Sequence, residues 1–179
     1  MEFTPTGLDG AYLIDPPTFA DDRGHFRRTY DGDAFAARGL NARVAQSSVS
    51  FNRRRGTLRG MHYQISPRAE AKLVRCSSGA IYDVIVDLRP GSPTCRRWFG
   101  VELTAADGRL LYVPEGFAHG FLTLADATEV CYQISEVFSP EHARGVRWDD
   151  PAFGIAWPFA PEIIADKDRA YPDYMRTSP

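Results

Sequence analysis

Short runs of hydrophobic residues recur along the chain, separated by glycine, proline, aspartate and serine. β-Branched and aromatic residues dominate these runs, and the spacing is that of β-strands bounded by turns. Strands are predicted at 11–14, 25–30, 42–51, 57–64, 71–79, 80–89, 97–103, 110–114, 119–124 and 128–135. Segment 31–40 is the one predicted helix, with an aspartate as its cap and Gly39 at its end. The pattern predicts an all-β fold, a β-sandwich or jelly roll with a short helical segment.

The organisation of the chain is simple, since no repeat, low-complexity tract or linker-like stretch divides it. We therefore expect a single domain over residues 1–179. The segment 158–174 contains three prolines and little periodicity. It is predicted to wrap the barrel irregularly rather than to add a strand.

Charge and cysteine content narrow the class of protein. The 21 Lys and Arg residues nearly balance the 23 Asp and Glu residues, so no overall basic field favours nucleic acid or an anionic membrane. No run approaches the ~20 apolar residues of a membrane span, and the first residues lack the features of a signal peptide. Cys76, Cys95 and Cys131 are odd in number and scattered, which favours free thiols in a reducing compartment. The expectation is a cytoplasmic protein.

The segment GTLRGMHYQ, 56–64, carries the most informative polar residues. Alternation along a strand puts Arg59 and His62 on opposite faces, so a shared pocket requires a bulge, which Gly60 would tolerate. The two glycines of the segment indicate a strand that gives up packing to line a cavity and admit a ligand. A lone histidine is otherwise more often a satisfied core residue.

A metal site is the first alternative. His62 and His119 stand in G-x-H and P-x-G-x-x-H contexts similar to the two short motifs of cupins. Gln64 occupies the position where metal-binding cupins have a second histidine, so His62, Glu70 and His119 would have to hold the ion alone. A metal-free pocket is therefore the preferred interpretation.

The chain as a whole resembles the dTDP-4-dehydrorhamnose 3,5-epimerase family. The similarity spans roughly residues 10–172 and rests on GTLRGMHYQ, KLVRC, GAIYDVIVDLRPGSPT, YVPEGFAHGF, GVRWDDPAFGIAWP and IIADKD, in order. It implies a cupin-type jelly roll without metal or organic cofactor. It also implies a nucleotide-diphosphate sugar as substrate, a dTDP-linked 4-keto-6-deoxyhexose inverted at C3 and C5 through an enolate, and a homodimer that exchanges N-terminal strands.

The resemblance also assigns roles to residues. His62 matches the base, Asp168 the carboxylate that orients it, Tyr132 the opposing acid, and Lys72 the group that stabilises the enolate oxygen. The positions that match substrate-binding residues are Arg23, Arg59, Gln46, Ser48, His119 and Lys167. Alone, each of these would be an ordinary core or surface residue, and only their joint placement indicates function.

Three positions depart from the family pattern. Arg28 and Ala143 stand where glutamates are usual, and Ser48 stands where an asparagine is usual. These departures concern recognition, so inversion of C3 alone or C5 alone in a CDP- or GDP-linked sugar stays open as an alternative. A non-catalytic nucleotide-sugar-binding cupin is the alternative from a different class.

Overall fold

The computed structural model describes residues 1–174 and contains fourteen strands and two short helices. The last five positions of the expected domain, 175–179, lie outside the described residues. The strands are β1 (Glu2–Pro5), β2 (Tyr12–Asp15), β3 (Thr18–Asp21), β4 (Gly24–Arg27), β5 (Gln46–Asn52), β6 (Thr57–Gln64), β7 (Lys72–Ser78), β8 (Ala80–Asp87), β9 (Trp98–Thr104), β10 (Leu110–Val113), β11 (Phe117–Thr123), β12 (Thr128–Ile134), β13 (Ala143–Gly145) and β14 (Ile163–Ile164). The helices are α1 (Gly32–Ala36) and α2 (Asp166–Arg169). No helix within residues 1–174 has the length and apolarity needed to cross a membrane.

Two sheets form the body of the molecule. The first has the strand order β1-β2-β10-β7-β12-β5, and the second has the order β13-β6-β11-β8-β9. All neighbouring strands in these sheets are antiparallel, while β14 lies parallel beside β6. The predicted all-β, jelly-roll-like sandwich is confirmed.

The core follows from the alternation of apolar residues in these strands. Between the sheets, Val74 and Leu111 of the first sheet pack in one cluster with Ile85 and Phe121 of the second, all at most 1% exposed. The outer face of the first sheet is covered by Phe35 of α1. The outer face of the second sheet is covered by residues from 146–157, so the part of the chain after β13 packs as a third layer.

The predicted helix at 31–40 is confirmed in position, but the observed helix is shorter. The Asp31 side chain accepts a hydrogen bond from the Ala34 N–H, as expected of an N-cap, but α1 ends at Ala36. The predicted strand 25–30 is shorter too, since β4 ends at Arg27.

Four strands were not predicted. Strands β1, β3, β13 and β14 have two to four residues each, too few for a period of two to stand out. The segment 158–174 does wrap the body, but the expectation that it adds no strand is wrong, because it contributes β14 and then α2. Pairing of β14 with Thr57 and Leu58 of β6 lays this segment along the strand that carries His62.

A buried carboxylate holds the turn that follows β8. Asp87 is 0% exposed and accepts hydrogen bonds from Arg89, Ser92 and Thr94, including a 2.8 Å contact from Arg89 Nη2. Burial alone would raise the pKa of Asp87, but these donors outweigh it and lower the pKa to about 2. Because the pKa is lower in the folded state, the ionised carboxylate stabilises the fold above pH ~4, and this contribution is lost as the pH falls toward 2.

We therefore expect Asp87→Asn to lower the free energy of unfolding at pH 7 by about 2 kcal/mol, from a shift of nearly two pKa units at ~1.4 kcal/mol each. Urea denaturation at pH 7 and pH 3 measures the effect, which should shrink at the lower pH. Asp15→Asn, at an exposed carboxylate, is the control, and its free energy of unfolding should stay within ~0.5 kcal/mol of that of the parent. If Asp87→Asn lowered the free energy of unfolding equally at pH 7 and pH 3, the low pKa of Asp87 would not be the source of its stabilising effect.

Candidate active site

One cavity of about 690 Å³ collects most of the residues that the sequence singles out. This volume lies within the usual range for small-molecule sites. Both sheets contribute to its wall, and the segment around α2 closes one side. The predicted residues that line it are Gln46, Ser48, Arg59, His62, Lys72, His119, Tyr132, Lys167 and Asp168.

The predicted bulge is present in β6. His62 pairs with His119 of β11 and Arg59 pairs with Phe121, so β6 has one extra residue between the two pairs. This shift of register brings both Arg59 and His62 to the cavity.

Gly56 and Gly60 are glycines for a reason other than the expected one, as their contacts show. A Cβ on Gly60 would lie 2.5 Å from the Cα of Gly120, and Gly60 has φ of +147°. Gly60 therefore serves close approach of β6 and β11, while Gly56 faces the Glu162 side chain. The idea that they make room for the ligand is wrong.

His62 is held by Asp168. The distance from His62 Nε2 to Asp168 Oδ1 is 2.7 Å, and the Gly60 N–H donates to the other carboxylate oxygen at 3.3 Å. Burial raises the pKa of Asp168, but the hydrogen bond and charge of His62 outweigh it, so the pKa is lowered and the group is ionised. An ionised carboxylate only accepts hydrogen bonds, so Nε2 carries a proton, and in the neutral imidazole the lone pair is on Nδ1.

Tyr132 belongs to the opposite sheet and meets a second histidine–aspartate pair. Its ring lies edge-on to His119 with centroids 5.9 Å apart, and His119 Nε2 lies 2.7 Å from Asp83 Oδ1. Desolvation, and next the negative charge of Asp83, raise the pKa of Tyr132. The phenol therefore stays protonated at neutral pH and can donate a proton.

Lys72 is nearly buried and has two fixed partners. Its Nζ donates to the His62 carbonyl oxygen at 3.2 Å and forms an ion pair with Glu70 Oε1 at 3.0 Å. The ammonium group is thus anchored to the backbone of the His62 residue and lines the same cavity. It brings a positive charge, paired with Glu70, to the wall of the cavity.

The binding residues divide into two groups. Arg59 donates from Nε to Asn52, and Gln46 accepts from the Phe138 N–H, so both side chains are oriented at the cavity. Arg23 is not brought to the cavity within one chain. It lies in the β3–β4 hairpin, paired with Asp21, with its side chain 90% exposed.

The donors of the alternative metal site are each engaged elsewhere. His62 pairs with Asp168, His119 with Asp83, and Glu70 with Lys72. Over residues 1–174, no group of three or more His, Cys, Asp or Glu side chains is arranged to hold a metal ion.

Sequence reasoning missed Asp83, although a signal was present. Asp83 stands between Ile81 and Ile85, on the face of β8 that packs into the core. A carboxylate on an apolar face requires a buried partner, and that partner is His119. The ring of Tyr171, near His62, was also missed, because only the path of the backbone after α2 brings it there.

Comparison with known proteins agrees with this geometry. The family model described as dTDP-4-dehydrorhamnose 3,5-epimerase matches residues 5–175. The chain belongs to this family. It is accordingly an epimerase, an enzyme of the isomerase class.

Individual relatives cover nearly the whole chain. A dTDP-4-dehydrorhamnose 3,5-epimerase of Methanothermobacter thermautotrophicus is 44% identical over 94% of this chain and 92% of its own. The crystal structure of the Bacillus anthracis enzyme, with TDP and PPi bound, superposes with a TM-score of 0.92 at 43% identity, covering 96% of this chain and 98% of that one. A dTDP-4-dehydrorhamnose 3-epimerase of Streptomyces niveus is 39% identical over 94% of this chain and 82% of its own.

A substitution at Gly60 tests how much the close approach of β6 and β11 contributes to the free energy of unfolding. Gly60→Ala should lower the free energy of unfolding by about 3 kcal/mol, because the new Cβ overlaps the Gly120 backbone and φ is positive. Chemical denaturation measures it. Gly154→Ala is the matched control, with positive φ but nothing within 4 Å of the added Cβ, and should cost about 1 kcal/mol. Equal losses would show that close packing at Gly60 contributes nothing.

Proposed function

We propose that the enzyme inverts C3 and C5 of dTDP-4-dehydro-6-deoxy-D-glucose, a step of rhamnose-type deoxysugar synthesis, within a single catalytic domain. The observation that carries the proposal is the His62–Asp168 pair, which opens on a cavity that also contains Tyr132 and Lys72. A base, an acid and a cation around one space are what inversion beside a ketone requires.

The proton transfers follow from the protonation states of the residues. His62 Nδ1 removes the proton from the carbon beside the ketone, and Asp168 stabilises the imidazolium that forms. The electron pair moves to the ketone oxygen, where Lys72 stabilises the enolate. Tyr132 then delivers its proton to the other face of the same carbon, which inverts it, and solvent restores both side chains.

The charges at the cavity fit a nucleoside diphosphate. Arg59, Arg144 and Lys167 line it beside the catalytic residues, and a guanidinium is well suited to a diphosphate. TDP bound to the Bacillus anthracis relative supports the dTDP form for this chain. We assign Gln46, Ser48 and His119 to the substrate wall, and no cofactor is part of the scheme.

Inversion of C3 alone is the second candidate. The Streptomyces niveus relative carries the name of a 3-epimerase, at an identity close to that of the 3,5-epimerases. Tyr132 is compatible with both reactions, so the two are separated by following each carbon.

The working unit that we propose is a homodimer. Within residues 1–174, the β3–β4 hairpin pairs with no other strand, and it exposes Phe19 and Phe26, 60% and 65% respectively. β5 is the edge of its sheet and exposes Val49 and Phe51. Exchange of hairpins between two copies would cover these surfaces and bring Arg23 to the cavity of the partner.

Three free cysteines support a reducing location, and we propose the cytoplasm. Cys76 is buried, and its desolvation raises the pKa of the thiol to about 11. A thiol that stays protonated is inert, so Cys76 is assigned to packing rather than to the reaction.

Deuterium exchange from D2O, followed by NMR on dTDP-4-keto-6-deoxyglucose, tests the reaction. His62→Ala should abolish exchange at C3 and C5, and Tyr132→Phe should lower C5 inversion more than C3 exchange. His142→Ala is the control, since His142 bonds Ser139 and is not among the residues that line the cavity, and it should keep parental rates.

The outcomes separate the alternatives. Exchange at C3 only establishes the 3-epimerase, and binding without exchange establishes a non-catalytic binder. Faster exchange with CDP- or GDP-linked sugars would assign a different nucleotide, and activity that disappears on chelation would reinstate the metal site.

Hairpin exchange predicts complementation between two inactive variants. Arg23→Ala and His62→Ala chains, co-expressed, should recover up to about a quarter of parental activity. Random pairing makes half of the dimers mixed, and each mixed dimer has one intact site. Homogeneous preparations of each variant are the controls. Absence of recovery in dimers shown to be mixed would place Arg23 in its own chain's site.

A further inference from the structure

Tyr171 contacts the catalytic histidine from a side that Asp168 does not occupy. It follows α2 by two residues, and its ring lies edge-on to His62, with centroids 6.2 Å apart and planes at 68°. The same short segment thus supplies both the carboxylate that bonds Nε2 and an aromatic ring beside the imidazole.

The ring of Tyr171 rests on a glycine directly opposite His62. Gly145 of β13 is the cross-strand partner of His62. A Cβ at Gly145 would lie 2.1 Å from Tyr171 Cζ and 2.3 Å from Cε2, so the ring occupies the space that any other residue would fill. The position of Tyr171 depends on this missing side chain.

A second contact is needed to fix the orientation of the His62 imidazole. The side chain of His62 is 42% exposed, and within residues 1–174 its ring makes one hydrogen bond, to Asp168. Rotation about χ2 of histidine is soft, and a small misplacement of a reacting atom costs much of the rate. Within residues 1–174, the aromatic ring that packs against the His62 imidazole is that of Tyr171.

We propose that Tyr171, seated on Gly145, is a positioning residue that fixes the plane of the His62 imidazole and closes the cavity wall beside it. This inference rests on the proposed role of His62 as the base. The contact is made by the ring, so the phenol oxygen is dispensable.

Three variants test the proposal through kcat and KM. Tyr171→Ala should lower kcat about tenfold with KM changed less than twofold, and Tyr171→Phe should restore the parental kcat within twofold. Gly145→Ala, which displaces the ring, should lower kcat to a similar extent. Because both act through one contact, the double variant should match Tyr171→Ala rather than multiply the losses.

A matched glycine–tyrosine pair outside the cavity is the control. A Cβ at Gly100 would lie 2.3 Å from the Tyr82 hydroxyl oxygen, and Tyr82 packs on Trp157. Tyr82→Ala and Gly100→Ala should lower the free energy of unfolding and leave kcat unchanged, which separates loss of packing from loss of positioning.

The outcomes are distinct from those of the proposed function. If the parent enzyme exchanges no deuterium, the function itself is wrong. If the parent is active, an unchanged kcat in Tyr171→Ala overturns this inference. So would a Tyr171→Phe variant as slow as Tyr171→Ala, or multiplicative losses in the double variant.

Discussion

The hydrogen bond between His62 Nε2 and Asp168 Oδ1 is the contact on which the site depends. It joins the centre of a strand to a residue 106 positions later, and three features of the chain make it possible. The bulge in β6 turns His62 to the cavity, the Gly60 N–H holds the second carboxylate oxygen, and pairing of β14 lays the segment with α2 alongside β6. An ionised partner at Nε2 fixes the tautomer of the neutral imidazole, so the fold determines which nitrogen would act as the base in the proposed scheme.

Two histidine–aspartate pairs stand side by side with opposite exposure. His62 and His119 are cross-strand neighbours, yet the side chain of His62 is 42% exposed and that of His119 only 4%. An accessible imidazole can exchange protons with substrate and solvent, whereas a buried one only forms part of the cavity wall. Asp83, buried with Oδ2 lacking a hydrogen-bond partner in the described part of the chain, adds negative charge near Tyr132 and helps to keep the phenol protonated. This difference in environment would keep the acid and the base of the proposed scheme distinct.

The long strands were predictable because each carries enough alternating residues to show its period, and β6, β8 and β12 lie where the pattern put them. The bulge at Gly60 was predictable too, since Arg59 and His62 cannot otherwise share a face. Strands β1, β3, β13 and β14 and helix α2 were not, because tertiary pairing rather than local pattern creates them. Similarly, Asp83 could be found from its apolar surroundings, but Tyr171 could not, since its contact with Gly145 has no trace in the spacing of residues.

The residues assigned to proton transfer and those assigned to recognition of the substrate are distributed differently over the molecule. His62, Asp168, Lys72 and Tyr132 reach the cavity from elements of one chain, and the first three are held by contacts whose partners a substitution would leave unsatisfied. Ala143 and Ser48 also line the cavity, but their side chains are small and take no part in these contacts. Arg28 lies just after the β3–β4 hairpin, pairs with Asp31 at 3.5 Å, and meets substrate only if that hairpin crosses to a partner. Reversal of its charge therefore costs the single chain little, and under the proposed exchange of hairpins its effect would fall on the site that two chains form together.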